Sequence, residues 1–204
     1  MTPSELDPLD ERTVDPDPIT QFSRWYDAAI GATDGRASAM TVATVGADGR
    51  PSSRVVLLRG FDASGFVFFT NYESRKGVEL ADGAPVAAQF YWPQLDAQIR
   101  IEGFAARIGE AESDTYFAHR PRGHQIGAWA SRQSEVIADR ATLEAQVEEI
   151  QARFPEMVPR PPHWGGYRVQ PDRMEFWRNR DDRVHDRVEY LLTPDGWTIQ
   201  RLSP

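Results

Sequence analysis

Apolar positions recur along this chain with two different periods. Between residues 17 and 30 they fall at helical spacing, with Ile19, Phe22, Trp25, Tyr26, Ala29 and Ile30 marking one face. Asp17 is placed to cap that helix and Pro18 to occupy its first position. The pattern then changes to short runs bounded by turn residues. "AMTVATV" (39–45) and "SSRVVLLR" (52–59) flank "GADGRP", and "DASG" (62–65) leads into "FVFFTN" (66–71). "PVAAQFYW" (85–92) and "AQIRIEGFAARI" (97–108) follow, and each of these runs predicts a strand. Helical spacing returns in "EAESDTYFAHR" (110–120) and "HQIGAWAS" (124–131). Asp139 caps a longer helix with Leu143, Val147, Ile150 and Phe154 on one face and Pro155 at its end. Beyond the proline-rich "VPRPPHWGG" (158–166) the strands resume as "GYRVQ", "RMEFWRN", "RVEYLL" and, after a "TPDG" turn, "WTIQRL". Successive antiparallel strands at this spacing predict a mainly β fold with peripheral helices (α+β), a small barrel completed by the late strands.

Residues 1–16, acidic and proline-rich, read as a mobile tail, leaving residues 17–204 as one domain. A chain of 204 residues can bury a core of its own. It has no cysteine, which excludes disulfides, thiolate metal sites and cysteine nucleophiles. The four histidines show no metal-ligand spacing, so no metal is expected. No run is apolar enough to span a bilayer and no export signal is visible, so the expected location is the cytoplasm, away from membranes.

Charge sharpens the picture. The net charge is −8, but residues 1–20 hold six acids against the single base Arg12, so the body of the chain is near neutral. That balance argues against nucleic acid as a partner. Lys76 is the only lysine; every other basic residue counted among the 23 is arginine.

Four stretches carry candidate chemistry. In "RVVLLR", Arg54 and Arg59 stand an odd number of residues apart on an apolar strand and so face opposite sides; alone, they read as strand-end charges reaching for water. In "TNYESRKG" (70–77), a strand ends in a polar turn and Arg75 and Lys76 open a helix. Cations oppose the dipole there unless an anion is bound, so Ser74, Arg75, Lys76 and backbone N–H groups outline a phosphate cradle. "YFAHRPRGHQIGAWASRQS" (116–134) is rich in donors and has no carboxylate between Asp114 and Glu135. Finally, an extended "RVHDR" (183–187) turns Arg183, His185 and Arg187 to one face, where three cations call for an anion. Together the clusters point to two anionic groups. No dinucleotide fingerprint, P-loop, nucleophile elbow or hydrolytic triad is present.

The chain resembles the FMN-dependent pyridoxamine 5′-phosphate oxidase family. The resemblance rests on "RVVLLRGF", "FFTNYESRKG", "AQIRIEG", "YFAHRPRGHQIGAWASRQS", "PPHWGGYRV", "MEFWRNRDDRVHDR" and "RLSP", in family order across residues 19–204. It implies an FMN-binding split β-barrel and a homodimer with FMN at the interface. It implies FMN contacts at Arg54, Val55, Val56, Leu57, Leu58, Arg59, Phe69, Thr70, Arg75 and Lys76, and at Gln98, Gln133, Ser134, Trp177 and Arg187. It implies substrate contacts at Arg59, Tyr116, Arg120, His124, Arg183 and His185, the last two over the reacting carbon and catalytic. The implied reaction oxidises pyridoxamine or pyridoxine 5′-phosphate to pyridoxal 5′-phosphate, with molecular oxygen reduced to hydrogen peroxide.

The sequence departs from the family pattern at three places. Arg59 stands where the family usually has lysine, His124 stands where serine is expected, and the N-terminal arm is short and acidic. These departures keep in view a related flavin oxidase acting on another ring, of phenazine-precursor type; an alternative of a different class is a flavin- or pyridoxal-phosphate-binding protein without turnover. The pairing of Arg183 with His185 argues against the binder.

Overall fold

The computed structural model describes Leu6 and residues 9–204. Its centre is a nine-stranded antiparallel sheet that curls on itself. In chain order the elements are α1 (Pro18–Ala32), β1 (Ala39–Val45), β2 (Pro51–Leu57), β3 (Gly60–Asp62), β4 (Gly65–Asn71) and α2 (Arg75–Glu79). Then come β5 (Pro85–Trp92), β6 (Ala97–Arg107), α3 (Glu110–Ala118), α4 (Arg122–Ala130), α5 (Arg140–Arg153), β7 (Trp164–Arg178), β8 (Asp186–Thr193) and β9 (Gly196–Arg201). The pairing order is β2-β1-β5-β6-β7-β4-β3, with β8 also on β7 and β9 on β8.

β7 decides the architecture. The sequence predicts two strands here, but Trp164–Arg178 is one continuous strand. Its residues 167–178 pair with β6, while its other edge pairs with β4 over residues 164–169 and with β8 over residues 173–178. The partner changes around Pro171, which offers no N–H to a ladder. Just beyond it Asp172 is an extra, unpaired residue of β7 opposite the Glu102–Gly103 step of β6, and Gly103 is needed there because a Cβ would stand 2.0 Å from the Gln170 carbonyl oxygen. The barrel therefore splits at this seam.

α1 plugs one end of the barrel. Asp17 accepts from the N–H groups of Ile19 and Thr20, as a cap should. Phe22 packs against Phe61, Phe66, Phe90 and Trp92 with ring centroids 4.8–6.3 Å apart. Trp25 meets Phe176 edge-on. Ile30, expected on the same face, is 54% exposed, although Ala29 and Thr33 on either side of it are buried. A second, smaller core of Phe117, Ile126, Ala130, Ile150, Val158 and Trp164 lies beneath α3, α4 and α5.

The N-terminal arm departs from the expected mobile tail. Residues 1–5, 7 and 8 lie outside the described residues, but Leu6 and Leu9 are buried and residues 9–16 are docked. Arg201 bonds the Leu9 carbonyl and the Glu11 carboxylate, Arg178 bonds the Leu6 carbonyl, and the Tyr190 hydroxyl bonds the Asp15 carbonyl. Two apolar side chains and these bonds outweigh the solubility of the surrounding acids.

Candidate functional site

A cavity of about 1180 Å³ opens between β2, the end of β4, the start of α2 and helices α3 and α4. It is larger than a pocket for one small ligand needs, which usually spans roughly 300–1,000 Å³. Fourteen of the sequence-predicted positions line it. Arg54, Val55, Val56, Leu57 and Arg59 come from β2 and the link after it. Phe69, Thr70, Arg75 and Lys76 come from β4 and α2, Tyr116, Arg120 and His124 from the α3–α4 region, and Gln133 and Ser134 from the loop before α5.

Two expectations change here. β2 ends at Leu57, so strand parity does not carry to Arg59, and Arg54 and Arg59 line the same cavity. Leu58, predicted as a ligand contact, points into the core at 4% exposure and is not among the lining residues.

At one side, Lys76 is buried at the start of α2. Its Nζ donates to the Thr70 hydroxyl (3.1 Å), the Ser74 hydroxyl (3.1 Å) and the Gln133 side-chain oxygen (2.8 Å). None of these is a carboxylate. Burial, and then the charge of Arg54, push the ammonium down to about 8. Gly77 permits this inward turn: a Cβ there would stand 2.3 Å from the Tyr72 carbonyl oxygen. Ser74, expected in the phosphate cradle, instead caps α2 by accepting from the Gly77 N–H, and is wholly buried. The Arg75 N–H is taken by the Ser134 hydroxyl at 3.2 Å. Ser134 has φ 78°, a left-handed conformation uncommon for a non-glycine residue.

Glu79 neutralises the two arginines beside Lys76. It bonds Arg75 at 2.8 Å and lies 3.4 Å from Arg54, with Thr44 and Ser52 donating to the same carboxylate. Burial alone would raise its carboxyl, but those hydrogen bonds and the Arg75 charge outweigh it and hold the group at about 2.

At the other side, Arg120 lies with its guanidinium carbon 4.4 Å from the Trp164 ring centre. Its Nη1 is buried and has no hydrogen-bond partner. Burial weighs against its charged form and lowers its pKa. Phe69, Tyr116 and Trp164 form a parallel stack, the first two 3.8 Å apart between centroids. Trp164 and His119 line the cavity and were missed as site residues, although both stand inside motifs already singled out. Arg122, one of the donors in that stretch, is structural: it bonds the carbonyls of Phe154, Pro155 and Glu156 beyond α5.

The remaining predicted residues lie elsewhere in the chain. Gln98, Trp177 and Arg187 are direct cross-strand neighbours on β6, β7 and β8, so they form one row on one face. None lines the cavity, and neither do Arg183 and His185. "RVHDR" is not one extended segment. Asp181–Arg183 is a 3-10 turn in which Asp182 and Arg183 have φ 55° and 62°, and β8 begins only at Asp186. Alternation over residues 183–187 therefore fails. The anions are nonetheless present: Glu175 receives Arg187 through two nitrogens, at 2.7 and 3.1 Å, and Asp186 receives Arg180 and Arg201. Arg183 is exposed and pairs with no described carboxylate. The His185 ring is 4.7 Å from that of Trp177, and its Nδ1 accepts from the Arg180 N–H at 3.2 Å. Neutral His185 then carries its proton on Nε2.

No group of His, Asp or Glu among the described residues could hold a metal ion, and no described helix is long and apolar enough to cross a membrane.

Comparison with known proteins gives a consistent family. Residues 28–154 match the model for pyridoxamine 5′-phosphate oxidase, and residues 164–204 match the pyridoxine 5′-phosphate oxidase C-terminal dimerisation region. A pyridoxine/pyridoxamine 5′-phosphate oxidase from Burkholderia multivorans is 56% identical over 199 residues, covering 96% of this chain and 93% of its relative. The crystal structure of PhzG from Burkholderia lata, in complex with tetrahydrophenazine-1-carboxylic acid, superposes with a TM-score of 0.90 at 34% identity, covering 98% of this chain and 100% of the other. An FMN-binding protein related to pyridoxamine 5′-phosphate oxidase, from Nostoc punctiforme, shares the fold at a TM-score of 0.70 and 17% identity, covering 87% and 95%. With family models spanning both halves and a relative matched almost end to end, the chain belongs to the pyridoxamine 5′-phosphate oxidase family.

Proposed function

We propose that this chain oxidises pyridoxamine 5′-phosphate and pyridoxine 5′-phosphate to pyridoxal 5′-phosphate, with FMN as cofactor and oxygen as final acceptor. One observation carries the reading: a single cavity holds two cations, the buried Lys76 and the half-buried Arg120 with its Nη1 buried, neither paired with a described carboxylate. Two such cations suit two phosphorylated ligands.

The donor set fits FMN. Lys76, Arg54, Arg75 and Ser134 would hold its phosphate, with Thr70 and Gln133 close by. Arg120, Tyr116, His124 and Arg59 would hold the phosphate of the substrate. FMN, when bound, supplies the two-electron acceptor that oxygen later restores.

The chain's own residues supply orientation. Arg183, His185, Trp177, Arg187 and Gln98 do not line the cavity of their own chain, and all but Gln98 fall within the matched dimerisation region. We read them as serving the cavity of a second copy, which makes the homodimer the catalytic unit. Arg183 would lie over the substrate ring. His185 would donate from Nε2 to the oxygen or nitrogen on the reacting carbon, holding it in place for oxidation. The same reading places residues 17–204 in one domain, with the docked residues 9–16 as its strap, and the enzyme in the cytoplasm.

The similarity to PhzG keeps a second substrate class in the test, because a carboxylate could also meet Arg120. The experiment is an anaerobic visible spectrum of the FMN-loaded protein before and after pyridoxine 5′-phosphate. Bleaching of the flavin band is expected. A band that stays oxidised with this substrate but bleaches with tetrahydrophenazine-1-carboxylic acid would move the assignment to the second class.

A further inference from the structure

The loop between β7 and β8 carries Arg183 and His185, and its two ends are tied across by side chains. Arg180 Nε bonds Asp186 Oδ2 at 2.6 Å, closing the loop over residues 181–185. The other oxygen of Asp186 receives Arg201 Nη1 at 2.8 Å. Arg201 in turn bonds Glu11 at 2.7 Å and the Leu9 carbonyl at 3.2 Å. Asp186 is thus the shared acceptor between the loop, the end of β9 and the N-terminal strap. Burial would raise its carboxyl, but the bonds from Arg180 and Arg201 keep it below the ordinary value and ionised.

The loop needs such a tie. Asp182 and Arg183 are consecutive left-handed residues, neither of them glycine, a conformation that L side chains adopt only under constraint. The Arg180 backbone N–H, adjacent to the tied side chain, is the group that fixes His185 Nδ1. Freed of the tie, the loop would relax towards ordinary backbone angles and release that N–H. His185 would then sample both tautomers, and only one of them presents a donor at Nε2.

We propose that Asp186 is a positioning residue: by bridging Arg180 and Arg201 it holds the β7–β8 loop so that Arg183 and His185 meet the substrate with the Nε2 proton of His185 in place. The functional part of this rests on the reading of those two residues given above.

The test compares the FMN-loaded wild-type protein with Asp186→Asn, Asp186→Glu and Arg180→Gln. Arg180→Gln removes one arm at a half-exposed side chain and leaves the Asp186–Arg201 pair, so it guards against simple misfolding. Two readouts are taken: ¹⁵N–¹H spectra of the histidine rings, with His185 assigned by its loss in His185→Gln, and steady-state oxidation of pyridoxine 5′-phosphate. The wild type should show His185 as the Nε2–H tautomer. Asp186→Asn and Arg180→Gln should show mixed tautomers and a kcat lowered about tenfold to a hundredfold, with KM and FMN affinity changed far less. Asp186→Glu, which keeps the charge, should recover part of both. Unaltered tautomer and kcat in Asp186→Asn and Arg180→Gln would overturn the proposal. If wild type fails to oxidise this substrate, the functional reading falls, and the tautomer comparison alone decides whether Asp186 holds the loop.

Discussion

Arg120 rests on the face of Trp164 with its Nη1 buried and without an acceptor. A buried donor left unmade costs about 1–3 kcal/mol, so the structure maintains this guanidinium at a loss that an anion would recover. Arg120→Met keeps the apolar stem over the indole and removes the orphan. The apo protein should melt no lower than wild type, while KM for a phosphorylated substrate rises about tenfold to a hundredfold, as expected for a lost charge-assisted bond. An unchanged KM would remove Arg120 from substrate binding.

Lys76 gives a pH signature. Its folded pKa is about 8, against 10.5 for an ordinary lysine, so between those values the unfolded chain binds more protons than the folded one. Its contribution to stability therefore rises with pH across that window, and is lost as pH falls towards 8. In chemical denaturation of the apo protein, wild type minus Lys76→Met should show this slope. FMN affinity should run the other way, weakening above pH 8 in the wild type as the ammonium is lost. Arg75→Ala combined with Lys76→Ala should weaken FMN binding at every pH; equal affinity in that variant would discard the phosphate role.

Arg183→Ala with His185→Ala should leave FMN bound and slow oxidation about a hundredfold or more. Fluorescence titration with FMN and stopped-flow reduction separate the two effects. Turnover at the wild-type rate would take both residues out of the mechanism.

The strap is testable by truncation. Leu9 is 2% exposed and Leu6 8%, and burying a leucine contributes about 1.5–3 kcal/mol. A chain starting at residue 17 should lose several degrees in Tm, measured by calorimetry at matched FMN concentration. A melting point equal to the full chain's would mean that the docked residues add nothing.

Much of this molecule is written locally in the chain. β5 occupies residues 85–92 as its alternation predicts, and Asp17 and Asp139 cap α1 and α5 because short-range hydrogen bonding needs only nearby residues. Other features depend on distant partners. β7 runs through Pro171 with a bulge at Asp172 that fits it to β6 and to the bare Gly103, and no window around residue 171 contains that information. The turn at 181–183 follows from ties to Asp186, which periodicity reads as one more alternating position. Leu6 and Leu9 sit among acids and prolines, and only the sites that receive them reveal their burial. For the cavity, composition supplied the idea of two anionic groups. The family resemblance supplied the residues, and only the pairing of distant strands shows that Gln98, Trp177 and Arg187 stand in one row.

The bonds from Arg201 to Leu9 and Glu11 also set a schedule for synthesis. The strap is made 190 residues before its anchor, as counted from Glu11 to Arg201, so the ring they close cannot form until Arg201 has been added. Because Leu9 and Glu11 lie beside Arg201, a circular permutant joining residue 204 to residue 9 through a short linker, with new ends opened in the surface turn at 46–50, should reach the same barrel by a different order of assembly.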